Sequence, residues 1–454
     1  MVILSGLSFM FRFFPVFFIL YLLTPRRYRM ALLFAGSVVF YASGSVKQLP
    51  VLLAGVVVNY VLGRFICTAG FREKQVQKKV FLGLAVFLDI AVLTVCKILA
   101  LKVSPSYLPL GMSFYIFKMI SYVADLYSGR IDFVPGFFDT AAYFTMFPQI
   151  TQGPVMRYTD AQRQFVRGPR IRAELIEEGV CCFVLGFAYK ILLADRIGIL
   201  WNEITKIGYE SISPVLAWMG AFAYSFQLYF DFFGYSLMAA GIGLMLGFPM
   251  IENFRDPYRA CGIADFYRRW HCTLGSWFRD YLYIPMGGSR RGRLRTILNL
   301  MIVWAATGLW HGGTLNFLIW GLSLGILIVL EKFPLGGLIR KAPAVGHIAV
   351  WIFIPLTWVV FAITRTSEIP VYFSRLFPFF GEGIAVDSHD YLRFLPQYWP
   401  YFVICFVLCI TGINGFIMRR RRNPAVVLLL SAVFFFALYH AAYSAGNAFM
   451  YFTF

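Results

Sequence analysis

The sequence predicts an all-α membrane protein that crosses the bilayer many times. Of its 454 residues, 59% are hydrophobic and 14% are charged, whereas soluble domains usually carry about 25% charged residues. Apolar stretches recur along the chain and predict roughly 10 to 13 transmembrane or half-spanning helices, since about 20 apolar residues make one full span. Helices are expected because lipid leaves no other partner for backbone N–H and C=O groups outside a closed barrel.

We expect these helices to form one integral-membrane domain over residues 1–454. The predicted spans include residues 215–233 and 237–248, separated by a short break, and residues 296–311 and 315–330 further on. Between them, residues 249–295 interleave aromatic side chains with arginine and aspartate. This pattern is typical of helices that lie in the membrane interface or re-enter the protein, and it predicts an interfacial segment within the domain.

The net charge of +19 indicates membrane lipids as partners and not nucleic acid. The basic residues occur in short clusters between apolar spans, which is the distribution that membrane topology and anionic headgroups favour. The eight cysteines do not have the spacing of a zinc site, so we expect no metal cofactor.

His311 is the first candidate for chemistry. It lies between glycines in Thr307-Gly308-Leu309-Trp310-His311-Gly312-Gly313, inside an apolar run without a charged residue. An ionisable group at membrane depth is expensive to keep and is therefore a functional-site hypothesis by default. From this stretch alone, a catalytic histidine and a histidine hydrogen-bonded within a helix bundle are equally good interpretations.

Three longer motifs carry a resemblance to a known family. They are Gln227-Leu228-Tyr229-Phe230-Asp231-Phe232-Phe233-Gly234-Tyr235-Ser236, the stretch from Arg268-Arg269-Trp270-His271 to Gly288, and the stretch around His311. Shorter matches are residues 109–115, the Gly153-Pro154 turn and residues 449–454. Together they resemble the membrane-bound O-acyltransferase (MBOAT) family, and within it the bacterial alginate O-acetylase branch.

The resemblance implies a fold and a set of site residues. The helices would surround a central tunnel, with His311 as the catalytic residue in the membrane core and His271 as a second catalytic position on the interfacial segment. Neutral imidazole suits a general base for acyl transfer. For His271, a hydrogen bond to the thioester carbonyl or a purely structural role both remain open. From their chemistry and position, the residues expected at the substrate are Trp310, Trp270, Arg268, Arg269, Arg279, Asn253, Asp231 and Tyr281. Anchoring of the arginines at the cytoplasmic face and ordinary packing of Trp310 are equally good interpretations.

The implied activity is O-acetylation of an exported or cell-surface polysaccharide. An acetyl group would pass from a cytosolic thioester, acetyl-CoA or an acyl-carrier thioester, across the cytoplasmic membrane of a bacterium. An extracytoplasmic SGNH-type acetyltransferase is the expected partner. Two alternatives stay open: transfer of D-alanyl or another acyl group from a carrier protein, and a transporter in which the histidines relay protons.

Overall fold

A computed structural model describes residues 4–71, 73–380 and 387–443; the motif at residues 449–454 lies outside them. The described residues form helices joined by turns, with one isolated backbone bridge and no strand. The prediction of an all-α fold is therefore confirmed. Up to the interfacial segment the helices are α1 (Phe14–Leu23), α2 (Arg29–Ser45), α3 (Leu49–Phe71), α4 (Gln75–Lys102), α5 (Met112–Ser128), α6 (Phe137–Thr145), α7 (Gln162–Arg167), α8 (Ala173–Ala188), α9 (Asp195–Ile207) and α10 (Pro214–Met245).

The remaining helices begin with two short ones in the interfacial segment. In chain order they are α11 (Ile263–Arg269), α12 (Cys272–Phe278), α13 (Arg293–His311), α14 (Leu315–Lys332), α15 (Gly336–Lys341), α16 (Pro343–Ala362), α17 (Glu368–Leu376), α18 (Leu395–Thr411), α19 (Ile413–Arg419) and α20 (Pro424–Tyr443). Three π-helical turns adjoin them, at Phe9–Phe13, Tyr189–Ala194 and Arg279–Tyr283.

The described part of the chain contains six helical stretches that are long and apolar enough to cross a bilayer. A seventh is added if the bent pair α18 and α19, which meet at 69°, forms one span. The protein is therefore a multi-pass membrane protein. The six stretches are Arg26–Gly70, Gln75–Lys102, Pro214–Met245, Leu315–Lys332, Pro343–Ala362 and Pro424–Tyr443.

One predicted break does not interrupt its helix. The sequence predicts two spans, residues 215–233 and 237–248, whereas α10 runs continuously from Pro214 to Met245. The only helix-weakening residue at the expected break is Gly234, and a glycine inside a helix costs about 1 kcal/mol. Because α10 is largely buried, packing of its apolar side chains outweighs that cost.

The chain divides into two compact units, and the expectation of a single domain stays a prediction. Unit 1 comprises Met1–Gly186 and Tyr235–Glu252. Within it, Gly111 of the motif at residues 109–115 has a φ of +65°, and a side chain there would meet the carbonyl oxygen of Ile150, three residues before the Gly153-Pro154 turn, at 1.9 Å. Nearby, the buried Lys118 ammonium donates to Gln149 Oε1 at 2.8 Å and to the Tyr143 carbonyl at 3.1 Å.

Unit 2 comprises Phe187–Gly234 and Asn253–Phe454 and contains both candidate catalytic histidines. Its central feature is the antiparallel hairpin of α13 and α14. A side chain at Gly308 would lie 2.3 Å from the carbonyl oxygen of Phe317, and one at Gly321 would lie 2.3 Å from that of Trp304. The two backbones therefore touch, as small residues allow in membrane helix pairs.

Replacing Gly308 by alanine should consequently destabilise unit 2. The new methyl group meets backbone, which cannot rotate away, so α13 and α14 must separate; overpacking of this kind costs about 1 to 3 kcal/mol. Gly83→Ala in α4 is the matched control, because nothing lies within 4 Å of a side chain at that position. The apparent melting temperature in detergent should fall for Gly308→Ala and hold or rise for Gly83→Ala. Equal melting temperatures would contradict the close backbone contact.

Candidate active site

The interfacial segment folds back on itself beside His271. Phe254 and Trp270 form an antiparallel backbone bridge, and the Cys272 N–H donates to the Asn253 carbonyl at 2.9 Å. These contacts place the Asn253 side chain next to the imidazole of His271, although the two residues are 18 positions apart.

His271 occupies the sharp corner between α11 and α12. Its backbone is left-handed, with φ 47° and ψ 51°, a conformation uncommon outside glycine that costs of order 1 kcal/mol or more. His271 is one of only three described residues other than glycine that have a positive φ. The corner turns the His271 side chain into the interior, where the residue is 3% exposed.

The His271 imidazole is held on one side by a hydrogen bond. Nδ1 lies 2.9 Å from Asn253 Oδ1, and the Thr273 hydroxyl donates to the same oxygen at 2.8 Å. The edge of the ring meets Phe232 on α10, with ring centroids 4.7 Å apart and an interplanar angle of 87°. The ring is therefore fixed by both a polar and an aromatic contact.

Trp310 connects the two candidate catalytic histidines. Its indole lies 6.3 Å from the His271 ring and 4.5 Å from the His311 ring, measured between centroids. Trp310 is buried, whereas His311, the last residue of α13, is half-buried. The structure thus brings both imidazoles to the same indole within unit 2.

Two further aromatic rings pack against His311. Trp320 on α14 and Phe361 at the end of α16 meet the imidazole edge-on, at centroid distances of 5.0 and 5.2 Å. The following Gly312 is required by packing, because a side chain there would lie 2.2 Å from the Phe317 ring. The glycines beside His311 therefore let α14 approach the histidine closely.

Burial sets the protonation of His271. It lowers the pKa of this imidazole from its usual 6.5 to about 3, because an apolar interior disfavours the charged form. His271 is therefore neutral at physiological pH.

Acidification is expected to destabilise the protein through His271. Below pH 6.5 this imidazole binds a proton in the unfolded chain but not in the folded protein. The free energy of unfolding therefore has its full value above pH 6.5 and decreases as the pH falls towards 3. At pH 5 the loss amounts to about 2 kcal/mol. Melting temperatures measured from pH 7.5 to 5 should fall more steeply for the wild type than for His271→Asn; parallel curves would refute the buried neutral imidazole.

Of the other predicted substrate residues, Trp270 is the chain neighbour of His271 and is buried. Its indole packs edge-on against Phe254, at 5.0 Å, and at a tilt of 42° against Trp358 on α16, at 5.1 Å. Asp231, in contrast, is buried in an ion pair: the Lys190 ammonium lies 2.6 Å from Asp231 Oδ1 and 2.7 Å from Asp195 Oδ1.

The predicted basic residues of the interfacial segment are partly to largely exposed and pair with carboxylates. Arg268 and Arg269 both contact Asp265, at 3.3 and 3.0 Å, and Arg279 contacts Asp280 at 2.6 Å. Their side chains are 69%, 37% and 62% exposed. Tyr281 follows in the π-helical turn, with its ring 5.4 Å from that of Trp277.

Sequence reasoning missed several residues of the site. Phe232, Trp320 and Phe361 contact the two histidines. Thr273 donates to the Asn253 oxygen beside His271, and Lys190 pairs with Asp231. Only Lys190 had a readable signal, since it is the one lysine in the largely apolar stretch of residues 176–200. The others are ordinary packing residues until the fold brings them to an imidazole.

Ionisable side chains inside a multi-pass membrane protein are candidate functional groups, and here two histidines lie against one buried indole. Comparison with known proteins identifies the class of membrane protein. Residues 128–374 match the model of the membrane-bound O-acyltransferase family. The chain belongs to the MBOAT family and is an O-acyltransferase.

Three relatives indicate the range of reactions attributed to proteins of similar sequence. The probable alginate O-acetylase AlgI of Pseudomonas aeruginosa is 38% identical over 381 residues, which cover 79% of this chain and 72% of the relative. The peptidoglycan O-acetyltransferase of Helicobacter pylori is 30% identical, covering 78% and 75%. The teichoic acid D-alanyltransferase of Bacillus subtilis is 28% identical, covering 49% and 59%.

Proposed function

We propose that this enzyme passes an acetyl group from cytosolic acetyl-CoA across the cytoplasmic membrane for O-acetylation of an exported or cell-surface polysaccharide. The observation that carries the proposal is the pair of imidazoles at Trp310 in an MBOAT protein. Relatives named as an alginate O-acetylase and a peptidoglycan O-acetyltransferase support acetyl as the acyl group and a polysaccharide as the final acceptor.

His311 is the general base in this proposal. As the oxygen of the acceptor hydroxyl attacks the thioester carbonyl, His311 takes the hydroxyl proton. When the C–S bond breaks, the imidazolium returns that proton to the departing thiolate, so the products are an ester and a free thiol. A positioned base contributes about 10² to 10⁴ in rate, and half-burial leaves His311 accessible to a substrate.

The exposed arginines suit the donor's phosphates. Arg268, Arg269 and Arg279 pair with carboxylates at the surface, and exposed ion pairs are worth about 0 to 1 kcal/mol. A phosphate can therefore replace the carboxylate at little cost and gain a charge-assisted contact. Trp270 and Tyr281 would line the path of the substrate from these arginines to the histidines. Asp231 would affect the site indirectly, through its ion pair with Lys190.

In this proposal, transfer to an acceptor outside the cell requires a partner protein. A cytosolic donor and an exported glycan lie on opposite sides of the membrane, and we propose that an extracytoplasmic SGNH-type acetyltransferase receives the acetyl group. Co-expression of such a protein should allow acetylation of the glycan in cells. The same hydroxyl chemistry applies whether the immediate acceptor is the partner or the glycan.

Transfer of D-alanine from a carrier protein is the second candidate function. It is favoured by the similarity to the Bacillus subtilis D-alanyltransferase, which covers about half of the chain. Purified enzyme in vesicles should be offered isotopically labelled acetyl-CoA and D-alanyl carrier protein in parallel, with a soluble alcohol as acceptor. Label transferred from acetyl-CoA supports the first function and label from the carrier supports the second; transfer from neither refutes both.

A further inference from the structure

The contacts of His271 assign its tautomer. The partner of Nδ1 is Asn253 Oδ1, which also accepts the hydrogen bond of the Thr273 hydroxyl. An amide oxygen carries no hydrogen and can only accept, so Nδ1 bears the ring proton and Nε2 bears the lone pair. This is the tautomer that accepts a hydrogen bond at Nε2 and cannot donate one there.

His271 Nε2 is buried and has no hydrogen-bond partner among residues 4–71, 73–380 and 387–443. Leaving a buried acceptor without a partner costs about 1 to 3 kcal/mol, and such groups in native proteins call for an explanation. Phe232 and Trp310 border the ring with aromatic surface. A ligand that supplies an N–H or O–H donor, in place of any water bound there, would satisfy Nε2.

Because His271 Nε2 needs a hydrogen-bond donor, only certain groups of a substrate can bind to it. A thioester carbonyl is an acceptor only, so His271 cannot polarise it in this tautomer. The hydroxyl of the acyl acceptor has one hydrogen, and in the proposed function that hydrogen goes to His311. The other donor near a thioester is the amide N–H of a pantetheine-type arm, which is two carbons from the sulfur.

We propose that His271 Nε2 accepts a hydrogen bond from this amide N–H of the acyl donor. Asn253 and Thr273 are positioning residues that hold the imidazole in the required tautomer. The inference rests on the proposed function, because it assumes a thioester donor with such an arm. Burial also makes His271 a poor proton acceptor, since its pKa is lowered to about 3, which leaves the base role to His311.

The test uses two small acetyl donors that differ in one group. S-acetyl-N-acetylcysteamine contains the amide, and S-acetyl-2-acetoxyethanethiol has an ester oxygen in place of its N–H. Wild-type enzyme should prefer the amide donor by about 5- to 150-fold in kcat/KM, the range expected when a buried acceptor loses its partner. His271→Leu should reduce the ratio to about 1, whereas His271→Gln, which keeps an acceptor oxygen, should retain part of it.

Variants of the positioning residues keep the test decisive if His271→Leu does not fold. Thr273→Val should lower the preference for the amide donor, and Thr273→Ser, which keeps the hydroxyl, should restore it. In addition, ¹⁵N NMR of histidine-labelled enzyme should show the Nδ1–H tautomer for His271; the protein has only five histidines. An Nε2–H tautomer would overturn the inference.

The failures of the inference and of the proposed function are distinguishable. A wild-type enzyme that uses acetyl-CoA but treats the amide and ester donors equally overturns the role of His271 and leaves the function standing. An enzyme that transfers from no thioester overturns the function itself. Coenzyme A and carrier proteins share the pantetheine amide, so full-length donors of each kind then identify the natural source.

Discussion

Replacement of His311 by alanine is expected to reduce acyl transfer by about 10² to 10⁴, the contribution of a positioned general base. The side chain ends α13 and packs against Trp310, Trp320 and Phe361, and none of these three aromatic side chains can take over as base. The rate should be measured with labelled acetyl-CoA on purified protein, at equal amounts of correctly inserted enzyme.

A matched control separates catalysis from a general effect of losing a histidine. His389 is exposed and contacts Ser388 and Asp387 beside it, and His389→Ala should transfer at the wild-type rate. The apparent melting temperature of His311→Ala should stay close to that of the wild type, because the ring is only half-buried. Transfer at an undiminished rate by inserted His311→Ala protein would rule out His311 as the base.

The sequence was sufficient for the fold class because that depends on composition and helix length alone. Fifty-nine per cent hydrophobic residues and recurrent apolar runs permit little other than a helical membrane protein. The sequence did not predict that α10 is continuous. The low helix propensity of Gly234 has a smaller effect than the burial of this 32-residue helix. The π-helical turn at Tyr189–Ala194 contains Lys190, whose ion pair with Asp231 joins residues far apart in the sequence and was likewise not predictable from local pattern.

The site shows the same division between local pattern and tertiary contact. His311 and His271 stood out because imidazoles are rare in this chain and lie in recognisable motifs. Their arrangement could not be predicted, because it depends on a backbone bridge and on the packing of α13, α14 and α16 against one another. Asn253 was predicted to lie at the substrate, and the structure gives it a contact with His271. Thr273, two residues from His271, has no distinguishing feature until its hydroxyl reaches the same amide oxygen.

Removal of the Lys190 ammonium is expected to have the largest effect on stability. Lys190 and Asp231 are each 2% exposed and lie 2.6 Å apart, so Lys190→Met leaves a carboxylate buried among apolar groups. Breaking a buried pair from one side costs about 3 to 5 kcal/mol. Asp195 is 17% exposed and keeps some solvation, so the main cost falls on Asp231.

A double variant tests this explanation against a simple loss of packing. Lys190→Met combined with Asp231→Leu replaces the pair by apolar groups of similar size, a change that is often neutral or stabilising, and it should regain most of the lost melting temperature. Lys206→Ala is the matched control: its ion pair with Glu203 has a similar length, 2.8 Å, but is 72% and 41% exposed, and such a pair is worth about 0 to 1 kcal/mol. If the double variant is as unstable as Lys190→Met, the buried charge is not the cause. If it is stable but transfers slowly, the ion pair instead orients α10, which carries Phe232 against His271, and the charges serve the geometry of the site more than the stability of the fold.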